Sequence, residues 1–115
     1  MSLNEIELKR IKKAIDAFMT LRRPHPTIRS KVDFGYRIVG HSVELFEIRP
    51  QWDDESKILH HPFAKMTYVR SKNQWKLFWQ RADLKWYSYP PAPLTKSIEE
   101  ALRIISEDAH CCFFG

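Results

Sequence analysis

Five short runs of alternating apolar and polar residues fill the middle of the chain, and they constrain the fold more than any other feature. Val32, Phe34 and Tyr36 alternate with polar residues or glycine, which is the two-residue period of a half-buried strand. Similar runs follow at residues 43–48, 63–70, 75–81 and 85–89. A parallel return needs a crossover of about a dozen residues or more, so connections as short as residues 71–74 predict antiparallel neighbours.

Amphipathic helices are predicted on both sides of this β-rich region. Residues 4–21 carry an apolar stripe at helical spacing and begin with a capping box formed by Asn4 and Glu7. Residues 98–108 repeat the pattern directly after an S-x-x-E box. Each helix therefore has one face to bury against another element.

These elements predict a single α+β domain over residues 1–115, with an N-terminal helix, a five-stranded antiparallel meander over residues 30–89 and a C-terminal helix. Both helices are expected on one face of the sheet. Pro50 is expected to end the second strand, residues 53–56 to form a solvated loop, and the proline run at 90–93 to close the sheet. The apolar tail at 111–115 is expected to pack against the core.

Composition and short motifs exclude several classes of function. The chain has three glycines, Gly35, Gly40 and Gly115, and a phosphate-binding loop needs them clustered, so nucleotide-dependent enzymes of the Walker or Rossmann kind are excluded. We expect no cofactor. Cys111 and Cys112 are adjacent and could bridge only through a strained ring. There is no signal-peptide pattern and no apolar run long enough to cross a bilayer, so we expect a cytoplasmic protein without membrane contact.

Three segments together resemble a known family. They are VDFGYRIVGHSVELFEIRPQW at residues 32–52, MTYVRSKNQWKLFWQRADLKWYSYPP at residues 66–91, and the ending CCFFG. They are similar to a bacterial family catalogued as a domain of unknown function, DUF3024, and the resemblance extends from about Arg22 to the C-terminus. It implies one compact domain of bacterial type, and it carries over no catalytic residue.

Positive charge and aromatic rings are concentrated in the same segment. Residues 60–96 hold seven lysines and arginines against one acid, Asp83, and seven of the fifteen aromatic residues lie between Tyr68 and Tyr89. Cations that follow phosphates and rings that stack on unpaired bases are the requirements of a single-stranded nucleic-acid surface. If Trp75 and Leu77 face the core, alternation turns Phe78 to the opposite face of the sheet.

The favoured prediction is a binding module for nucleic acid and not an enzyme. A four-residue loop at 71–74 would place Thr67 opposite Phe78. The residues predicted to contact nucleic acid are Arg70, Lys72, Lys76, Phe78, Arg81 and Lys85.

Two alternative functions use other features. Aromatic residues are also enriched in protein interfaces, so the second sheet face could instead join copies of a non-catalytic homo-oligomer. Asp33 and Glu47 lie on neighbouring predicted strands and could hold a divalent metal ion in a nuclease, although no metal is expected in the favoured interpretation. Arg49 stands where such enzymes carry a lysine, and arginine cannot act as the base.

Overall fold

The fold is described from a computed structural model, which covers residues 3–22, 25–29 and 31–108. The predicted packing of the tail, with Cys111 and Cys112, lies outside the described residues. The elements in chain order are α1 (Glu5–Arg22), a short 3₁₀ turn (Pro26–Ile28), β1 (Asp33–Val39), β2 (Ser42–Gln51), β3 (Asp54–Val69), β4 (Gln74–Gln80), β5 (Trp86–Ser88), β6 (Leu94–Thr95) and α2 (Ile98–Glu107).

The strands form one antiparallel sheet in the order β1-β2-β3-β4-β5, which confirms the predicted meander and the α+β class. The sixth strand, β6, pairs with β4 on the same side as β5 and was not predicted. A two-residue strand has no period that a sequence could reveal. Buried Thr95 pairs with Trp75, so the sheet closes after the proline run and not at it.

Side-chain caps fix the start of each helix, as the sequence predicts. The Asn4 backbone N–H donates to Glu7 Oε1 at 3.0 Å, and the Glu7 N–H donates to Asn4 Oδ1 at 2.8 Å. At α2 the Ser97 hydroxyl oxygen accepts from the Glu100 N–H at 3.1 Å. These bonds satisfy N–H groups that have no acceptor within the helix.

The core lies between the two helices and one face of the sheet. Its most deeply buried members come from every layer: Ile15 of α1, Leu45 of β2, Met66 of β3, Leu77 of β4 and Ile105 of α2 are all 0% exposed. We call this side of the sheet the helix face and the opposite side the second face. None of the helices in the described ranges is long and apolar enough to cross a membrane.

The hairpin of β2 and β3 is longer than predicted. Pro50 lies inside β2 opposite Ile58, and β3 begins at Asp54, so the predicted loop at 53–56 is wrong. β1 reaches only to Ile48 of β2, and the paired part of β4 stops at Ala64 of β3, so among the described residues this outer stretch is a two-stranded arm. A proline, which lacks an N–H, is tolerated on such an unpaired edge.

Candidate nucleic-acid interface

The alternation of β4 places its side chains as the sequence predicts. Trp75, Leu77 and Trp79 belong to the core or pack against it. Lys76 and Phe78, between them, project from the second face, and Lys76 is exposed while Phe78 is half-buried. β4 therefore directs Trp75, Leu77 and Trp79 to the helix face and Lys76 and Phe78 to the second face.

The register between β3 and β4 differs from the predicted one by two residues. Lys65 lies opposite Phe78 and Thr67 lies opposite Lys76. The connecting loop comprises residues 70–73, with Asn73 in the left-handed region at φ 49°, and so begins one residue earlier than predicted. A shift of two residues keeps every side chain on its predicted face, because the period of a strand is two.

A lysine on the second face lies over two aromatic rings. Lys65 Nζ is 4.9 Å from the centroid of the Phe78 ring and 5.2 Å from the centroid of the Trp86 ring. Trp86 reaches this face because it pairs with Gln80. Both rings are half-buried, so each keeps part of its surface exposed to solvent.

The part of the second face between β3 and β5 is basic. Between β3 and β5 it carries two lysines and no carboxylate among the described residues, and its members are Lys65, Thr67, Val69, Gln74, Lys76, Phe78, Gln80, Trp86 and Ser88. The next strand contributes Glu44, opposite Lys65, and the Glu44 carboxylate accepts from Arg37 at 3.4 Å. We call the patch formed by Lys65, Lys76, Phe78 and Trp86 the lysine–aromatic patch.

A second cation–aromatic cluster lies on the helix face of the same hairpin. Arg81 Cζ is 5.6 Å from the centroid of the Trp79 ring and 5.0 Å from that of Tyr87. The Tyr87 hydroxyl donates a hydrogen bond to the Asp83 carboxylate. The backbone N–H of Lys85 donates to the same carboxylate at 3.0 Å, which closes the β4–β5 turn. We call Arg81, Trp79, Tyr87 and Asp83 the arginine–aromatic cluster.

Hydrogen bonding shifts the pKa values of two groups in this cluster. The Tyr87 hydroxyl, followed by the Lys85 N–H and the charge of Arg81, holds the pKa of Asp83 below its ordinary value. The bond to Asp83 raises the pKa of Tyr87 above its ordinary value. Beside them Leu84 is exposed and has φ 64°, a conformation that side chains with a Cβ rarely adopt.

The six residues predicted to contact nucleic acid lie at different places in the structure. Lys76 and Phe78 are together in the lysine–aromatic patch. Lys72 lies in the β3–β4 turn and Lys85 in the β4–β5 turn, so these exposed lysines mark the two ends of β4.

The two predicted arginines lie away from the patch. Arg70 donates to Glu7 of α1 at 2.9 Å and lies 5.9 Å from the Tyr68 ring, which packs against the core. Arg81 belongs to the arginine–aromatic cluster. Lys65 and Trp86 were absent from the predicted set, and only the strand registers reveal them as neighbours of Phe78.

The carboxylates of the alternative nuclease site are not brought together. Asp33 lies opposite Ile48, and its neighbour Phe34 lies opposite Glu47, so Asp33 and Glu47 project from opposite faces. Glu47 accepts from Arg49 at 2.8 Å. Within residues 3–22, 25–29 and 31–108, no three metal-ligating side chains cluster.

Comparison with known families agrees with the resemblance. The family model described as Domain of unknown function (DUF3024) matches residues 3–115, and the chain belongs to this family. No curated protein and no solved structure matches the chain.

Proposed function

We propose that this member of the DUF3024 family binds single-stranded nucleic acid on the second face of its sheet, through the lysine–aromatic patch. The observation that supports this most is the position of the Lys65 ammonium, 4.9 Å and 5.2 Å from the centroids of two partly exposed rings. A cation for phosphate and a ring for a base are thus available within one side-chain length.

The energies favour a base over the lysine as the partner of the rings. An exposed cation–π contact contributes about 0.5–1 kcal/mol, whereas a base stacked on an aromatic side chain contributes about 1–3 kcal/mol. A base can therefore displace the Lys65 ammonium from Phe78 or Trp86. The displaced ammonium then remains close enough to contact the phosphate of the same nucleotide.

Further lysines extend the positive charge along β4. Lys76 is exposed on the same face, and Lys72 and Lys85 lie in the turns at the two ends of this seven-residue strand. Such a strand spans about 23 Å at 3.3 Å per residue. This length gives a nucleic-acid backbone several cations to follow, with Phe78 and Trp86 beside its path.

Single strands suit this surface better than a duplex. The bases of a duplex are already stacked on one another, so the two rings would have no base surface to contact. We therefore expect tighter binding to an unpaired oligonucleotide than to its duplex. Sequence preference should be weak, because every base has a face that can stack.

The experiment is fluorescence anisotropy with a labelled oligothymidine, repeated over a series of salt concentrations. We expect Phe78→Leu and Trp86→Leu each to raise Kd about 5- to 150-fold, which corresponds to the loss of about 1–3 kcal/mol of stacking. Lys65→Ala and Lys76→Ala should each reduce the slope of log K against log salt by about 0.7, the value for one phosphate contact on a single strand.

Matched controls use cations outside the patch. Lys12→Ala removes an exposed lysine of α1, on the opposite side of the sheet, and Arg81→Ala removes the cation of the arginine–aromatic cluster. Both should leave the Kd and the salt slope nearly unchanged. The proposal fails if wild-type binding is absent or independent of salt, or if Lys12→Ala lowers the slope as much as Lys65→Ala does.

A further inference from the structure

We propose that a second base stacks on the imidazole of His60, so that one single strand of nucleic acid runs along β3 from the lysine–aromatic patch to the start of the arm. This inference rests on the proposed function, because it gives the same ligand a second position on the second face. A bulge turns His60 to this face, the Phe46 ring stacks against its imidazole, and His60 is exposed.

A β-bulge in β3 places His60 on the second face. His60 and Lys65 are five residues apart, and in a regular strand an odd separation directs two side chains to opposite faces. Between them the register with β2 shifts, because β3 contains one extra residue, the buried Phe63. Their partners in β2 are Ile48 and Glu44, which are four residues apart and therefore share a face. His60 and Lys65 consequently lie on the same face of the sheet.

The imidazole of His60 stacks flat on the ring of Phe46. The two ring centroids are 4.6 Å apart, and the ring planes differ by 11°. Phe46 in turn lies against Gly35 of β1, where a Cβ would be 2.8 Å from a ring atom. The absence of a side chain at Gly35 therefore allows the Phe46 ring to approach the sheet closely. We call Gly35, Phe46 and His60 the histidine stack.

His60 is the member of the histidine stack that a base can reach. Phe46 is buried, and its ring centroid also lies 5.7 Å from Arg37, whose guanidinium donates to Glu44. His60 is exposed, and the Phe46 ring supports one face of its imidazole. Histidine is among the side chains on which unpaired bases stack. A base can therefore pack against the other face of this imidazole.

The histidine stack and the lysine–aromatic patch are close enough for one nucleic-acid strand to contact both. Five residues of β3 separate His60 from Lys65, which is at most about 17 Å at about 3.3 Å per residue. Single-stranded sites commonly cover about 4–16 nucleotides. Asp33 lies in the row of His60 but two strands away, at about 10 Å. This is about one Debye length at about 0.1 M salt, so its repulsion of a phosphate is weak.

Fluorescence anisotropy with a labelled oligothymidine of about twelve nucleotides tests the second position. We expect His60→Ala to raise Kd at least about fivefold, because one stacked base is lost. His60→Phe keeps a ring on Phe46 and should bind at least as tightly as wild type. The matched control is His61→Ala, which removes the neighbouring exposed imidazole, opposite Glu47 on the helix face. It should leave Kd unchanged.

Two further measurements separate a base contact from support of the arm. Residues more than about 7–10 Å apart act independently, so the fold-changes in Kd of His60→Ala and Phe78→Leu should multiply in the double variant. A nuclear Overhauser effect between the imidazole protons of His60 and a thymine methyl group reports the contact directly. Circular dichroism of each variant establishes that it is folded.

The possible failures of the two proposals are distinguishable. If Phe78→Leu weakens binding and a folded His60→Ala does not, the second position is wrong and the proposed function stands. If His60→Ala weakens binding but His60→Phe does not restore it and no Overhauser effect is seen, His60 supports the arm without contacting a base, and the inference also fails. A wild type that does not bind oligothymidine would overturn both proposals.

Discussion

On the second face Lys65 lies over Phe78 and Trp86, whereas on the helix face Arg81 lies over Trp79 and Tyr87. The distances are similar, between 4.9 and 5.6 Å, and both clusters belong to the sheet around β4. They differ in what surrounds the cation. Arg81 has the Asp83 carboxylate within its own cluster, whereas the carboxylate opposite Lys65, that of Glu44, lies on the neighbouring strand β2 and accepts from Arg37.

We interpret this difference as one between a structural role for the arginine–aromatic cluster and the proposed binding role of the lysine–aromatic patch. In the arginine–aromatic cluster Asp83 accepts from Tyr87 and from the Lys85 backbone, so the groups close a turn and balance the charge of Arg81. In our proposal, the charges of Lys65 and Lys76 in the lysine–aromatic patch contact a ligand. If the proposal holds, a ring next to a cation indicates a ligand surface where no carboxylate of the same cluster balances the cation.

The largest effect on stability is expected from a cavity in the core below the lysine–aromatic patch. Leu77 is 0% exposed and lies between Lys76 and Phe78 in β4, so Leu77→Ala leaves a cavity in the core and should lower the free energy of unfolding by about 2–5 kcal/mol. Its neighbour Lys76→Ala, on the second face, should change it by less than about 0.5 kcal/mol. Urea unfolding measures both, and equal losses would contradict the assignment of faces.

An intermediate effect is expected from giving the lysine–aromatic patch the acid that it lacks. Ser88 is exposed and lies opposite Phe78, in the same row as Lys65. Ser88→Asp should weaken oligothymidine binding about fivefold at low salt, which corresponds to about 1 kcal/mol between charges near 4 Å in water.

The isosteric control for this change is Ser88→Asn, which should bind like wild type. Salt screens the added charge, so the difference between the two variants should fade as the salt concentration rises. A Ser88→Asp variant that binds as tightly as Ser88→Asn at low salt would show that the absence of acid is unimportant.

Local patterns predicted most of the fold, because each acts within a few residues. The caps at Asn4 and Ser97 and the alternation along β4 are satisfied by near neighbours in the chain. The long arm was missed because Pro50 normally ends a strand, and it is tolerated there because β1 pairs with β2 only as far as Ile48. The point at which β1 ends is a property of the whole sheet and not of the sequence around Pro50.

The candidate site was predicted only in part for a similar reason. Phe78 and Lys76 follow from alternation within one strand, whereas Lys65 and Trp86 come from other strands and need the exact registers. Arg81 is close to Phe78 in the chain but lies on the helix face with Tyr87. A count of charges over residues 60–96 cannot separate these positions, since it contains no information about faces.

The smallest effect concerns the hydrogen bond that completes the arginine–aromatic cluster. Tyr87→Phe removes the largest cause that lowers the pKa of Asp83, so this pKa should rise toward its ordinary value of 3.8. Because the folded-state pKa is the lower one, the bond stabilises the fold above the unfolded-state pKa, and this contribution is lost as the pH falls through the folded-state pKa. The difference in stability between wild type and Tyr87→Phe should therefore be present at neutral pH and vanish in acid below 3.8.

The Tyr87 hydroxyl sets the upper end of the pH range in which this hydrogen bond stabilises the fold, because Asp83 raises the pKa of Tyr87 above the ordinary value of 10.0. The contribution of the hydrogen bond to stability is complete below that value and is lost as the pH rises through the higher folded-state pKa.

Carbon-detected NMR titration of the Asp83 carboxyl measures the pKa of Asp83 in wild type and in Tyr87→Phe. Lys85→Ala is the control, because Lys85 bonds to Asp83 through its backbone N–H and the pKa should stay low. If the Asp83 carboxyl titrates identically in wild type and Tyr87→Phe, the hydroxyl does not hold the carboxylate, and the structural use assigned to this cluster loses its basis.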